Sequence, residues 1–370
     1  MKVLPTLVIG SVITRNFLGD ARALVRTLRR WHPEARVYVL VVDGVGGAFV
    51  PEEEDFIVVE LSELGLGEPL AYCFQYTAFE LCNALKAPLL QHLLTARGEP
   101  AALYLDADQG VYARLDALWE EVLSRDILLV PHLLVTMPRD GRFPSEAALL
   151  ASGVYNAGAL GVRAQPEGLR FLQWWSAHVR HDCVADPRSG LFVDQKFLDL
   201  VPALFPSAGI LRHDGVNVAH FNLHHRRLHC RDGEWWVNDV RLLLFHFTQV
   251  TPEDGHFWPR VSRDFTAQQS ALDQLLGSYR QDRLAVGQPA IRLWPYGFAN
   301  FASGRPISPG TRVGFRAGWK AGAPPGNPFS SAHWEAYERR ILRQHRWHRL
   351  GRWLVRLGRR LRLLGPPSDR

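Results

Sequence analysis

Leu103-Tyr104-Leu105-Asp106-Ala107-Asp108 is the stretch on which the fold turns: an apolar strand ending in two carboxylates one residue apart. In extended backbone, residues i and i+2 point to the same side, so both acids can face one hard cation. Like charges held this close repel unless a metal or a proton neutralises them. Mg²⁺ or Mn²⁺, shared between carboxylates and the phosphates of a substrate, meets that need. The same pair in a loop would more often be solvated or capping acids. Its position at the end of an apolar strand, after a long βαβ series, argues for a site.

The chain before this strand alternates between two periods. Leu7 to Ile13 is apolar and β-branched, Asp20 to Arg30 has helical spacing, and Ala35 to Val42 and Phe56 to Leu61 read as strands. Ala71 to Leu94 reads as one helix leading into the strand Ala101 to Leu105. This rhythm predicts an α/β fold with a mostly parallel central sheet flanked by helices, whose ligands bind beyond the carboxyl ends of strands. By that rule Ser11, Thr14 and Arg15 after the first strand, and Asp43 after the second, are candidates for reading a nucleotide base or ribose. Beyond Asp108, strands are expected at Ile127 to Pro131, Ala157 to Val162, Gly233 to Val237 and Arg241 to Phe247, with a helix over Glu167 to Val179. Pro252 to Gly326 is rich in Gly, Pro and aromatic residues and shows no clear period, so no element is assigned there.

The bulk properties suit a globular enzyme. The 370 residues, 47% hydrophobic and 22% charged, suffice for one large core or two smaller ones. Met1 to Gly10 lacks a signal h-region, and no apolar run approaches the roughly 20 residues that span a bilayer. Cys73, Cys82, Cys183 and Cys230 are scattered without a C-x-x-C pair, which fits reduced thiols in a cytoplasmic protein. The formal charge of +6 is unevenly placed: eleven arginines stand against the single acid Asp369 from Arg339 onward, so the body is net acidic.

Leu105-Asp106-Ala107-Asp108 resembles the D-x-D of GT-A glycosyltransferases. The order of the segments around and beyond it is similar to glycosyltransferase family eight, the glycogenin and lipopolysaccharide galactosyltransferase group, over roughly Thr6 to Val250. Lys86, in Ala84-Leu85-Lys86-Ala87-Pro88, stands where such enzymes carry a base that reaches the donor diphosphate. Tyr155-Asn156-Ala157-Gly158 resembles the N-x-G segment facing the donor sugar, and Val193-Asp194-Gln195 the pair near the transferred sugar. Leu242 to Phe247 resembles the late strand whose histidine, here His246, completes the metal site with Asp106 and Asp108. The blander alternatives are a solvated helix lysine, a plain Asn-Gly turn, a helix N-cap at Asp194 and a structural strand histidine. The resemblance implies a GT-A nucleotide-diphospho-sugar transferase fold, a divalent metal, a UDP-sugar donor in preference to others, a glycan or lipid-linked acceptor, a role in cell-surface glycan or polysaccharide synthesis, and retention of anomeric configuration near Asn156, Asp194 and Gln195. One departure stands out: the run after His246 is Phe247-Thr248-Gln249, where the family commonly has a glycine and then a lysine.

The expected organisation is a GT-A domain over 1–250, divided into a nucleotide-binding half (1–110) and an acceptor and metal-completing half (111–250), then an extension (251–330) and a basic tail (331–370). In the tail, Leu350, Trp353, Leu354, Leu357, Leu361 and Leu364 recur at three and four among arginines, predicting a basic amphipathic C-terminal helix. Such a helix fits an anionic membrane surface, with a solvated tail as the alternative. No stacking aromatics or binding motif supports a nucleic-acid partner. Val216 to Arg227 resembles a stretch of related bacterial polysaccharide glycosyltransferases, and its His220, His224 and His225, even with His229 and Cys230, do not form a closed zinc set. Two other functions stay open. One is a degenerate sugar-binding or scaffold protein, favoured by the altered run after His246. The other is a haloacid-dehalogenase-type phosphotransferase, which would use the first acid as nucleophile.

Overall fold

Six consecutive buried residues, Val8–Ile13, form the interior strand β1, whose four β-branched residues with only small Gly10 and Ser11 between them fit a strand covered on both faces. The structure, a computed structural model, describes residues 4–250 and 256–342. Along the chain the further strands are β2 (Arg36–Val41), β3 (Ile57–Glu60), β4 (Ala101–Leu105), β5 (Gln109–Val111), β6 (Ile127–Pro131), β7 (Tyr155–Arg163), β8 (Ala185–Asp186), β9 (Leu191–Phe192), β10 (Ala208–Ile210), β11 (Leu228–Arg231), β12 (Glu234–Val237), β13 (Val240–Arg241) and β14 (Leu244–His246). Seven of them make one sheet in the order β10-β6-β7-β4-β1-β2-β3. β1 runs parallel to β2 and β4, β2 to β3 and β6 to β10, whereas β7 is antiparallel to both β4 and β6. The expected mixed α/β architecture with a mostly parallel sheet is therefore what forms.

The reversed strand shapes the site. Because β7 runs against β4, its first residues lie beside the last residues of β4: Leu105 pairs with Ala159, and the Asp106 N–H donates to the Gly158 carbonyl at 2.8 Å. Asn156 and Gly158 thereby reach the carboxyl end of a parallel strand from the opposite direction.

The chain divides into two compact units, Met1–Gly67 with Ala78–Gly297, and Glu68–Thr77 with Phe298–Arg370. In the first, besides the sheet, a cluster of buried residues joins Leu228, Val237 and Phe245 to Leu272, Leu275, Leu276 and Tyr279. The second packs Ala71, Phe74, Phe301, Ile307 and Phe315 together. There Arg312, itself buried, donates to the Phe74 and Tyr76 carbonyls at 2.8 Å each, answering carbonyls at the end of the short helix Pro69–Phe74.

Three element assignments need correction. The single strand expected over Arg241 to Phe247 is two, β13 ending at Arg241 and β14 over Leu244–His246, which pair in different sheets. The single helix expected over Ala71 to Leu94 is three pieces, Pro69–Phe74, Ala78–Ala84 and Lys86–Thr95; its apolar residues satisfy helical spacing throughout, and the breaks leave that spacing intact. The stretch from Pro252 to Gly326, where periodicity assigned nothing, holds the helices Gln269–Ala285, Gln288–Ile291 and Pro309–Lys320. The first buries Leu272, Leu275, Leu276 and Tyr279 on one stripe, a helical period obscured by the polar majority around it. Among the described residues no helix is long and apolar enough to cross a membrane. The tail helix expected over Leu350 to Leu364 lies outside the described residues.

Candidate active site

Three chain segments converge at the carboxyl end of β4. Asp106 and Asp108 leave the strand, and β5 then pairs antiparallel with β14 in the register that sets His246 opposite Gln109. The Phe247 N–H donates to the Asp108 carbonyl at 2.8 Å. This pairing brings His246 Nε2 to 3.1 Å from Asp108 Oδ1 and 4.0 Å from Asp106 Oδ2. One ligand atom from each of Asp106, Asp108 and His246 lies within 4.8 Å of the others.

His246 is aimed from behind. Its Nδ1 lies 3.3 Å from Asn217 Oδ1, which leaves Nε2 for the acids. Asn217 is fully buried with φ of 55°, a left-handed conformation that Asn tolerates better than most side chains. Burial opposes charge on His246, but Asp108 and Asp106 outweigh it and hold the imidazole above its ordinary pKa. Burial likewise raises Asp108, and the adjacent His246 outweighs it, holding that carboxyl low.

Two carboxylates and one imidazole suit Mn²⁺ or Mg²⁺ and leave coordination positions for phosphate oxygens. Gly158 completes the cradle: a Cβ there would sit 2.6 Å from Asp106 Oδ2, 2.6 Å from Asn156 Oδ1 and 2.8 Å from His246 Cε1. Any larger residue would fill the space beside the ligands. The residues present therefore fit a divalent cation.

Lys86 begins the helix Lys86–Thr95, and Pro88 is tolerated in that first turn because its missing N–H would have had no intrahelical partner. A buried lysine at a helix N-terminus is doubly unfavourable, through desolvation and through the helix dipole. It is compensated by Asp106 Oδ1 at 3.0 Å, Asp194 Oδ2 at 3.6 Å and the Ala157 carbonyl at 3.2 Å. Burial would lower its pKa, yet Asp106 and Asp194 hold it above its ordinary value. The alternative of a solvated helix lysine is excluded.

Asp194 precedes the 3-10 helix Gln195–Leu200, but its side chain makes no capping bond. Its carboxylate is wholly buried and faces Lys86, and among the described residues neither oxygen has a hydrogen-bond partner, while its carbonyl accepts from Trp175 Nε1 at 3.0 Å. Burial raises its pKa to about 7 against the opposing pull of Lys86. Val193 beside it has φ of 42°, a strained conformation for a β-branched residue and one that clusters at functional sites. Gln195 spends its amide on the Ala157 N–H (3.2 Å) and the Ser152 carbonyl (3.0 Å). Asn156 lies in a strand, not a turn; its Oδ1 accepts from the Gly158 N–H at 2.7 Å, and its Nδ2 meets His132 Nε2 at 3.1 Å.

Asp106, Asp108, His246, Lys86, Asp194, Gln195, Asn156 and Gly158 all line one cleft of about 510 Å³. A second cavity of about 360 Å³, walled by Val12, Thr14, Phe17 and Cys82, shares Phe79, Asn83, Lys86, Asp106 and Asp108 with the cleft. Of the strand-end candidates, Thr14 lines this second cavity, whereas Ser11 and Asp43 line neither. Ser11 is buried within β1, and the Asp43 carboxylate is engaged by the Arg15 N–H at 2.8 Å, Arg15 Nε at 3.2 Å and the Gly297 N–H at 2.9 Å.

The sequence assigns no site role to His132, His220, Asn217, Phe79 and Arg260. Asn217 and His220 fall in the Val216 to Arg227 stretch, whose resemblance carries no role for either, and His132, Phe79 and Arg260 carry no local motif; each reaches the site through tertiary contacts. Burial pushes His132 down to about 4 and His220 to about 3. Both pKa values are depressed, so the stability they contribute is present above the unfolded value near 6.5 and is lost as pH falls toward 4. Asp194, raised to about 7, and Asp20, raised to about 6, titrate in the opposite sense over the same range, so the histidine contribution is read by difference: between pH 6.5 and 4.5 the wild type should lose about 2 kcal/mol of stability relative to His132→Gln. Equal pH dependence in the two proteins would contradict the assignment.

No family model matches the chain. It is 28% identical over 171 residues to the uncharacterized protein YfnF of Bacillus subtilis (strain 168), a match covering 46% of this chain and 56% of that protein. The chain thus spans little more than half the length of that relative. It is 20% identical over 251 residues to the uncharacterized protein YfnD of the same organism, covering 65% of this chain and 77% of that one. Among solved structures it is similar to the galactosyltransferase LgtC in complex with donor and acceptor sugar analogs, at 16% identity and a TM-score of 0.43 over 74% of this chain and 96% of that one. It is also similar to the glycosyltransferase GlyE of Streptococcus pneumoniae TIGR4, at 15% identity and a TM-score of 0.42 over 80% of this chain and 67% of that one.

Proposed function

We propose that this chain is a GT-A type glycosyltransferase that moves a sugar from a nucleotide-diphosphate donor to an acceptor, with a divalent metal at Asp106, Asp108 and His246. The observation that carries the reading is the convergence of those three side chains, within 4.8 Å of one another, on the boundary between the cleft and the cavity lined by Thr14. In this reading the nucleotide occupies the smaller cavity and the transferred sugar the cleft, so that the diphosphate crosses the ligand set between them.

Transfer breaks the bond between the anomeric carbon and the diphosphate oxygen, and the bonding electrons leave with the phosphate. A bound Mn²⁺ or Mg²⁺ supplies stabilisation of that leaving charge. Lys86 adds a fixed positive centre beside Asp106 in a dry site, where electrostatic effects are large. The remaining N–H of the Asn156 amide, its other groups being committed to Gly158 and His132, is available to a sugar hydroxyl. Asp194, whose Oδ2 faces Lys86 at 3.6 Å, and the Gln195 side chain are assigned to the neighbourhood of the anomeric carbon, and retention of configuration is inferred from the family resemblance. A UDP-sugar is the preferred donor and a glycan or lipid-linked acceptor the preferred partner on the same ground. The arginine-rich tail supports a cytoplasmic enzyme held at an anionic membrane face.

Incubating the protein with a panel of nucleotide-diphosphate sugars and Mn²⁺, and following release of nucleoside diphosphate, tests the activity. Turnover of one donor that stops on chelation is expected; no release from any donor would remove the proposal. The support of His246 is testable separately. Asn217→Gly keeps the left-handed backbone while deleting the amide that orients the imidazole, and should weaken Mn²⁺ affinity by about 10–100-fold. Unaltered affinity by titration calorimetry would show that His246 needs no such support.

A further inference from the structure

Among the described residues the carboxyl groups lining the cleft are Asp106, Asp108 and Asp194, the last raised to about 7, and the permanent cations are Lys86 and Arg260. His132 and His220, also in the wall, are held neutral by burial. Lys86 is committed to two of the acids. Arg260 is not. Among the described residues it forms no ion pair, and its one hydrogen bond runs from Nε to Gln249 Oε1 at 2.6 Å. The guanidinium carbon lies 5.6 Å from the Phe143 centroid and 5.5 Å from that of Trp258. Contact with two aromatic rings narrows the range of the group, and its two terminal nitrogens suit a bidentate acceptor. Gln249, its hydrogen-bond partner, has φ of 63°, an uncommon conformation for that residue and one that marks a constrained turn.

A divalent cation offsets two carboxylates and no more, so a diphosphate entering the cleft brings negative charge that the ligand set and Lys86 leave uncompensated. A solvent-exposed guanidinium that lines the same cleft and is in no ion pair among the described residues is the group suited to it. We infer that Arg260, oriented by Gln249, Phe143 and Trp258, is a phosphate-binding residue of this cleft that grips the diphosphate of the donor and of the leaving nucleoside diphosphate. The inference rests on the proposed donor. The same chemistry would also serve a phosphate carried by the acceptor, and the test separates the two.

Titration calorimetry of the full chain with Mn²⁺ first identifies which common nucleoside diphosphate binds the wild-type protein. If none binds, it is the proposed function that has failed. With a binding nucleotide in hand, Arg260→Gln should weaken the nucleoside diphosphate by about 10–100-fold, leave Mn²⁺ affinity and the melting temperature unchanged, and leave the weak binding of the nucleoside without phosphates as it was. Arg260→Lys, which keeps the charge and loses the planar fork, should fall between them. Diphosphate affinity within twofold of wild type in Arg260→Gln overturns the inference, and a rise confined to the KM of a phosphorylated acceptor would assign the residue to the other ligand.

Discussion

Asp108→Ala should give a folded protein that no longer binds a donor in response to metal, with turnover reduced on the order of 1000-fold or more, equivalent to ~4 kcal/mol of transition-state stabilisation. The side chain is 38% exposed and among the described residues its ion-pair partner is His246, at 3.1 Å, so without metal its removal costs the fold little. With metal present the loss is of an innermost ligand, and it exceeds what loss of an orienting group such as Asn217 removes. The checking measurement is the rise in melting temperature on adding Mn²⁺ and donor together, since a ligand that binds only the native state raises it. The variant should show the wild-type temperature in buffer and no rise with ligands. A full rise would place the cation elsewhere.

Lys86→Met should lower stability by about 3–5 kcal/mol. Its side chain is 4% exposed and its ammonium lies 3.0 Å from Asp106 and 3.6 Å from Asp194, and among the described residues no hydrogen bond reaches the Asp194 carboxylate oxygens. Removing the cation leaves a buried carboxyl that must either stay charged without a partner or take up a proton, and either costs more than the loss of an exposed pair. Replacing both groups, as Lys86→Met with Asp194→Leu, should recover much of the loss, because an apolar pair in the same volume carries no desolvation penalty. The double variant should nonetheless stay inactive. Chemical denaturation of the single and double variants gives the first comparison and donor turnover the second. A single variant as stable as wild type would mean that the buried triad carries little of the local stability.

The resemblance in the sequence and the geometry agree most closely where local backbone decides position. The i, i+2 spacing of Asp106 and Asp108 after a fully buried strand placed both acids in one cleft, and Asn156, Gly158, Lys86, Asp194, Gln195 and His246 line the same cleft. What the one-dimensional pattern could not carry was direction and commitment. β7 runs against its neighbours, and alternation of strands and helices does not announce one reversed strand. Asp43 ends β2 as the strand-end rule requires, yet its oxygens are taken by Arg15 and Gly297, partners separated from it in sequence. Arg260 and His132 carry no motif, because their roles depend on which rings and amides tertiary packing sets beside them. The helix Gln269–Ala285 carries a helical period at Leu272, Leu275, Leu276 and Tyr279, but the polar majority around those residues obscures it.

The central claim is that Asp106, Asp108 and His246 together hold the cation that receives a nucleotide-diphosphate donor. Crystals soaked with Mn²⁺ and the nucleoside diphosphate that binds in solution, measured at the manganese absorption edge, test it most directly. A single anomalous peak within ~2.0–2.6 Å of one atom from each of the three side chains, with phosphate oxygens in its remaining positions, is the predicted result. A peak elsewhere, or nucleotide bound in the cleft with no metal between its phosphates and these residues, would contradict it.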